Sequence, residues 1–161
     1  MSKKKVHEAL KKQMMLEIQS SYIYQGMRAW FTNNNWDGFS HFMKVQADEE
    51  LEHAEKIYKY LSEVGYDISL DALTAPSAKY ENVGAVFQAA LDHEKFVTES
   101  IHKLYELASD EKDYAAAIFL EWFVSEQVEE EANFTEIVGT LKLIGENAQG
   151  LIFFDKQLGA R

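Results

Sequence analysis

Four long segments with helical periodicity each carry a carboxylate at a position that their own pattern assigns to a buried core. Apolar residues in these segments recur alternately every three and four residues, the spacing of helices that pack in a bundle. In the third segment, the position between the apolar residues Ala90 and Val97 is Glu94. The corresponding acids of the other segments are Glu17, Glu50 and Glu130. Because burying an isolated carboxylate is costly, the fold must pair, protonate or neutralise these groups.

The breaks between the periodic segments predict an all-α chain of five helices. One proline and eight glycines among 161 residues leave long stretches free of helix breakers. The breaks fall at the asparagine triplet 33–35, at an aperiodic segment 66–82, at the turn 109–112 and at Gly145. Asp37 is the predicted N-cap of the second helix. The predicted helices span about residues 3–33, 37–64, 83–109, 113–144 and 147–157.

The length of the aperiodic segment 66–82 predicts the topology. When extended, such a segment reaches about 56 Å at roughly 3.3 Å per residue. A helix of about 28 residues is roughly 42 Å long, so the segment can run the full length of a bundle. We therefore predict an up-down-down-up four-helix bundle with a long crossover between helices 2 and 3 and a short fifth helix. The whole chain, residues 1–161, is expected to form a single domain.

Helical register predicts that the core acids meet at one depth. Residues at equal depth in an antiparallel hairpin have numbers whose mean falls in the turn. For Glu17 and Glu50 that mean falls in the asparagine triplet, and for Glu94 and Gln127 it falls in the turn 109–112. Both pairs lie about 25 Å from their turns, near the middle of the bundle. We therefore predict one buried layer, called the acidic layer below, which consists of Glu17, Glu50, His53, Glu94, Gln127 and Glu130.

Composition limits what can neutralise the acidic layer. The chain has no cysteine, which excludes disulfides, thiolate zinc sites, iron–sulfur clusters and thiol catalysis. Its net charge of −11 favours cations and disfavours nucleic acid and anionic membrane surfaces as partners. Only His53 can bring positive charge to the four carboxylates, so a pair of divalent cations is expected there. Glutamate and histidine ligands suit iron or manganese better than calcium.

Several other residues allow two interpretations. Glu50 and His53 form a Glu-x-x-His motif on the core seam, whereas the second such motif, at Glu99 and His102, lies off the seam and is predicted to be a surface pair. Acids that flank the seam are either solvated surface charge or an additional iron site: Glu49, Glu126 and Glu129. Two aromatic residues are either ordinary packing or functional, Tyr24 as a ligand-bonding or electron-donating group and Trp122 as an electron donor.

These residues lie in motifs that resemble the bacterial and archaeal non-haem ferritins over nearly the whole chain. The matching segments are Glu17, 20–24, 49–53, 93–94, 119–131 and 154–158. The resemblance implies one iron on Glu17, Glu50 and His53, and a second on Glu94, Glu130 and the shared Glu50, with Gln127 beside the pair. It also implies a tyrosine near the diiron centre, Tyr24, and a third iron site on Glu49, Glu126, Glu129 and Glu130. The family forms hollow shells of 24 subunits that hold a ferric mineral.

Some positions differ from related families. The haem methionine of bacterioferritins falls near Glu52, which Leu51 precedes, so no haem is expected. The pore acids of animal ferritins fall near Ala117 and Leu120, and Glu121 is the nearest acid. The N-terminal residues do not resemble a signal peptide and no apolar run reaches the length of a membrane span, so the sequence predicts a cytoplasmic protein without a membrane partner.

The resemblance therefore implies iron storage and detoxification. The chain is expected to be a ferroxidase that oxidises Fe²⁺ with O₂ or H₂O₂ at a diiron centre within each subunit and to deposit ferric oxyhydroxide inside a homo-oligomeric shell. Three alternatives stay open at this point. One is a di-iron or di-manganese oxidoreductase or peroxidase of the same fold. Another is a helical assembly protein without redox chemistry, and the last is a shell that only buffers iron for other proteins.

Overall fold

The computed structural model describes residues 3–161, and residues 1 and 2 of the predicted single domain lie outside that range. Five helices follow one another without any intervening strand in the described range, which confirms the predicted all-α fold. Over the same range, none of the helices combines the length and apolarity of a membrane span. The helices are α1 (Lys3–Asn33), α2 (Asp37–Glu63), α3 (Val83–Asp110), α4 (Tyr114–Ile144) and α5 (Ala148–Leu158).

The beginnings of three helices are fixed by side-chain caps. The side chains of Asn82, Asp113 and Asn147 each accept a hydrogen bond from a backbone N–H in the first turn of α3, α4 and α5. The predicted cap of α2 is wrong, because Asp37 is already helical and Trp36 occupies the cap position without a side-chain hydrogen bond. The start of α2 is capped instead by Asp155 of α5, whose side chain accepts a hydrogen bond from the backbone N–H of Phe39.

The crossover, residues 66–82, runs along α1 in the same direction as that helix. Near the start of α1, Lys11 Nζ lies 2.5 Å from Asp71 Oδ2. Two turns further along α1, the side chain of Gln19 forms two hydrogen bonds of 2.8 Å with the backbone of Thr74. Because the contacting residues advance together along both segments, the crossover returns the chain to the end of the bundle at which α2 begins. Helix α3 is therefore parallel to α2, and the predicted up-down-down-up topology is confirmed.

The core is divided into two apolar clusters with the acidic layer between them. The aromatic cluster at one end includes the fully buried Phe31, Phe39 and Phe87. The cluster at the other end is mostly aliphatic and includes Leu10 and Ile101. Since the two clusters hold the helices together on both sides of the layer, the packing of the core fixes the spacing of the helices at the layer itself.

Candidate metal centre

The residues of the acidic layer come from all four long helices and meet midway along the bundle. Each exposes 5% of its surface or less: Glu17, Glu50, His53, Glu94, Gln127 and Glu130. Ligand atoms of Glu17, Glu50 and His53 lie within 4.8 Å of one another, and so do those of Glu50, Glu94 and Glu130. Glu50 belongs to both sets, so two cations bound there can share one carboxylate. The register argument predicted this convergence from helix geometry alone.

The first set contains two buried polar atoms that face each other without hydrogen-bond partners. They are Glu17 Oε2 and His53 Nδ1, which lie 3.9 Å apart. Glu50 Oε2 is 3.3 Å from His53 Nδ1 but does not have the geometry of a hydrogen bond. A buried polar atom without a partner costs about 1–3 kcal/mol, so two of them in one set indicate a site that binds a ligand. Oxygen and imidazole nitrogen atoms in this arrangement fit a divalent transition metal.

The second set is held by hydrogen bonds from neighbouring side chains. Tyr24 is completely buried, and its hydroxyl donates to Glu94 Oε1. Gln127 Nε2 lies 3.1 Å from the other oxygen of the same carboxylate, Oε2. The amide of Gln46 donates to both remaining members, with Nε2 3.1 Å from Glu50 Oε1 and 2.8 Å from Glu130 Oε2. Such contacts fix the orientation of carboxylate ligands before a metal binds.

Two glutamines contact the acidic layer and were not predicted as site residues. Gln13 donates to Glu17 Oε1 at 3.2 Å and accepts a 2.6 Å hydrogen bond from Ser100. Gln46 has the contacts described above. Both glutamines precede a layer carboxylate by four residues on the same helix face, a spacing that brings side chains into contact. The sequence therefore contains a signal for these two residues, namely Gln-x-x-x-Glu on a core seam.

Burial changes the protonation of the acidic layer. It raises the pKa of Glu94 and of Glu130 to about 8, with neighbouring carboxylates adding to the effect, and it also raises the pKa of Glu50. Burial lowers the pKa of His53, but the carboxylates of Glu17 and Glu50 more than reverse this and raise it to about 11. Without cations the layer therefore keeps protons near neutral pH, and metal ions have to displace them.

The flanking acids lie along a surface cavity of about 270 Å³ beside the acidic layer. Glu126 is in contact with the layer, since its Oε1 is 3.7 Å from His53 Nε2. Together with Glu130, these two residues form a further set of candidate ligands. Glu49 points to Arg161 instead, at 2.8 Å, and Glu129 lines the cavity outside that set. The third iron site on all of these acids stays a prediction.

Trp122 and the second Glu-x-x-His motif, Glu99 and His102, also have defined positions. Trp122 is 39% exposed and packs edge to face on His53, with ring centroids 5.4 Å apart. The ammonium group of Lys56 lies over the Trp122 ring, 4.1 Å from its centroid. The second Glu-x-x-His motif is at the surface, as predicted, because Glu99 is exposed and pairs with Lys103 at 2.8 Å.

The chain is similar in sequence and structure to known proteins. A family model described as a ferritin-like domain matches residues 7–144. A "probable bacterial non-heme ferritin-like protein" of Haemophilus influenzae is 39% identical, and the match covers 96% of this chain and 93% of that protein. A "bacterial non-heme ferritin" of Escherichia coli is 37% identical over 98% and 96% of the two chains. The solved structure of "a novel open pore ferritin" from Archaeoglobus fulgidus has a TM-score of 0.98 and 43% identity, with 100% and 99% of the chains covered.

Proposed function

The chain belongs to the ferritin family, and on this basis we propose that it is a ferroxidase that stores iron as a ferric mineral. The observation that carries the proposal is the pair of ligand sets that share Glu50 in a fully buried layer. The unpartnered atoms Glu17 Oε2 and His53 Nδ1 in the first set support metal binding there.

We assign one Fe²⁺ to Glu17, Glu50 and His53 and a second to Glu50, Glu94 and Glu130. The four carboxylates carry four negative charges when ionised, which balance two Fe²⁺ ions when His53 is neutral. A neutral cluster is the arrangement that a low-dielectric interior tolerates best. Gln127 is proposed to hold Glu94 through its amide, and Tyr24 to hold the same carboxylate from the opposite side.

The proposed reaction uses the two irons as a two-electron donor. Two Fe²⁺ ions and O₂ take up two protons and give two Fe³⁺ ions and H₂O₂, so no one-electron reduction of O₂ is needed. Oxidation leaves two positive charges that the four carboxylates do not balance. Each Fe³⁺ then takes hydroxide or oxide from water, releases protons and leaves the site toward the mineral. H₂O₂ is the second proposed oxidant for Fe²⁺ at the same ligands.

The acids of the surface cavity are proposed to bind a third iron beside the pair. Glu126 and Glu130 have ligand atoms within 4.8 Å of a His53 nitrogen, whereas Glu49 and Glu129 line the cavity outside that set. A cytoplasmic location stays a prediction from the sequence.

The subunit assembles with copies of itself into an oligomeric shell, and we propose 24 copies. Several large apolar side chains are strongly exposed on the isolated subunit, among them Leu143 (90%), Phe153 (71%) and Val128 (70%). Such exposure is unusual for a protein that stays monomeric and is expected of surfaces that contact other subunits. The ferric mineral is proposed to form inside this shell.

The experiment that tests the function compares the two Glu-x-x-His motifs. We expect the double variant Glu50→Ala/His53→Ala to slow aerobic Fe²⁺ oxidation at least tenfold, which corresponds to about 1.4 kcal/mol of activation free energy. The reason is that it removes the shared ligand and the imidazole. The matched control, Glu99→Ala/His102→Ala, should oxidise Fe²⁺ like the parent. The absorbance of the ferric product measures the rate, and a layer variant as fast as the parent would refute the ferroxidase assignment.

A further inference from the structure

Arg161, which follows α5, reaches back to the residues around the acidic layer. Its Nη1 donates a 3.0 Å hydrogen bond to Gln46 Oε1, and its Nη2 lies 2.8 Å from Glu49 Oε2. The guanidinium carbon lies 4.5 Å from the centre of the Phe42 ring. All three partners belong to α2, and only 27% of the Arg161 side chain is exposed. A planar guanidinium is therefore held by a neutral acceptor, a carboxylate and an aromatic face at the same time.

The contact with Gln46 matters because that amide is bound to the ligands of the second ion. Gln46 is 2% exposed and its Nε2 serves both Glu50 Oε1 and Glu130 Oε2. If the amide turned over, its oxygen would face two carboxylates and repel them. Arg161 has only donors to offer, so it requires the amide oxygen on its own side. The guanidinium thereby selects the orientation in which the NH₂ group faces the acidic layer.

The position of Arg161 follows from the docking of α5 on α2. Asp155 of α5 accepts a 2.8 Å hydrogen bond from the backbone N–H of Phe39, in the first turn of α2. This contact supplies the cap that the local sequence of α2 lacks. Gly38 and Gly159 let the two backbones meet, since a side chain on Gly38 would collide with the carbonyl group of Asp155. The end of α5 is thus fixed relative to the helix that carries Gln46.

We propose that Arg161 is a positioning residue for the candidate metal centre, which acts by orienting Gln46 and thereby holding Glu50 and Glu130 around the second iron. The inference rests on the proposed function, because it concerns the same ligands. Its effect should be larger at the second ion, because Gln46 bonds Glu130, which belongs to that set, and the Oε1 atom of the shared Glu50, whereas Glu50 Oε2 faces His53 of the first set. Lysine can replace the charge but not the planar fork that meets Gln46 and Glu49 together.

Anaerobic titration of the assembled protein with Fe²⁺ tests this role, with isothermal titration calorimetry measuring the affinity of each binding step. We expect the parent to bind two ions per subunit at the acidic layer. Arg161→Ala should weaken one of these binding steps at least tenfold and leave the other within about twofold of the parent. Arg161→Lys should recover part of the loss, because it restores the charge and one donor. The matched control is Lys156→Ala, which removes an exposed cation from α5, the helix that precedes Arg161, and should bind both ions like the parent.

A double-variant comparison shows whether the effect passes through Gln46. Gln46→Ala leaves α5 and Arg161 in place and should weaken the same binding step. Adding Arg161→Ala to it should change the affinity less than twofold further. The inference is overturned if Arg161→Ala binds both ions normally, weakens both steps equally or keeps its full effect without Gln46. A parent protein that binds fewer than two Fe²⁺ ions at the layer would instead contradict the proposed function, so the two failures are distinguishable.

Discussion

At the scale of single residues, the main feature of the protein is the set of four buried carboxylates in the acidic layer, which hydrogen bonds hold in fixed orientations. Glutamine amides contact all four: Gln13 bonds Glu17, Gln46 bonds Glu50 and Glu130, and Gln127 bonds Glu94. The amide is a suitable partner because it donates hydrogen bonds without adding a charge that would compete with the metal ions. The seam pattern predicted the carboxylates, but the direction of each amide depends on side-chain conformation and became clear only from the structure.

The raised pKa values predict that metal binding releases protons. Glu94 and Glu130, with pKa values of about 8, are mostly protonated at pH 6.5 and mostly ionised above pH 8.5. Since Fe²⁺ binds the ionised form, anaerobic Fe²⁺ binding should tighten as the pH rises toward 8 and should release fewer protons per ion at pH 8.5 than at pH 6.5. Calorimetry in buffers of different ionisation enthalpy counts these protons, and an equal release at both pH values would contradict the prediction.

At the scale of helices, two contacts between segments distant in the chain fix what local sequence leaves undetermined. One is the Asp155 cap on α2, which explains why the prediction of Asp37 as the cap was wrong. The other is the approach of the crossover to α1 at Gly26, where an added side-chain carbon would meet the carbonyl oxygen of Ser77 and the ring of Pro76. The glycine there serves close packing and has no unusual backbone angle to satisfy.

This close approach predicts opposite effects for two helical glycines. Gly26→Ala should destabilise the protein by about 1–3 kcal/mol, because the crossover backbone must move to make room. Gly139→Ala, in α4, should stabilise it by about 0.5–1 kcal/mol, because alanine favours the helix and nothing lies within 4 Å of the added atom. Thermal unfolding followed by circular dichroism measures both shifts. A Gly26 variant as stable as the parent would show that the crossover does not pack as described.

At the scale of the whole molecule, the isolated subunit has a closed apolar core but leaves large apolar side chains exposed on its surface. The two apolar clusters close on each other around the acidic layer, while α5 leaves Phe153 and Ile152 exposed. Single exposed apolar residues are common, but large ones on a short terminal helix indicate contact with further subunits. All the ligands proposed for iron oxidation therefore lie within one chain, whereas the exposed apolar side chains are expected to be covered by other subunits of the shell.

The number of subunits is a prediction for solution mass. Size-exclusion chromatography with light scattering should give a particle near 24 times the chain mass of 18.5 kDa. After aerobic loading with Fe²⁺, the same particle should carry the ferric absorbance at its elution position, because the mineral forms inside the shell. A dimer that turns over peroxide without retaining iron would instead favour the oxidoreductase alternative.

The sequence by itself determined that Glu17, Glu50, Glu94 and Gln127 lie at one depth. The physical reason is that helical rise and periodicity are fixed, so that a short turn leaves only one register for an antiparallel pair. Tertiary structure alone decided how Gln46 joins Glu130, how Arg161 reaches Gln46 and how Asp155 caps α2. These contacts join residues far apart in the chain, and those of Arg161 and Asp155 depend on the docking of α5 through Phe154, which no local spacing specifies.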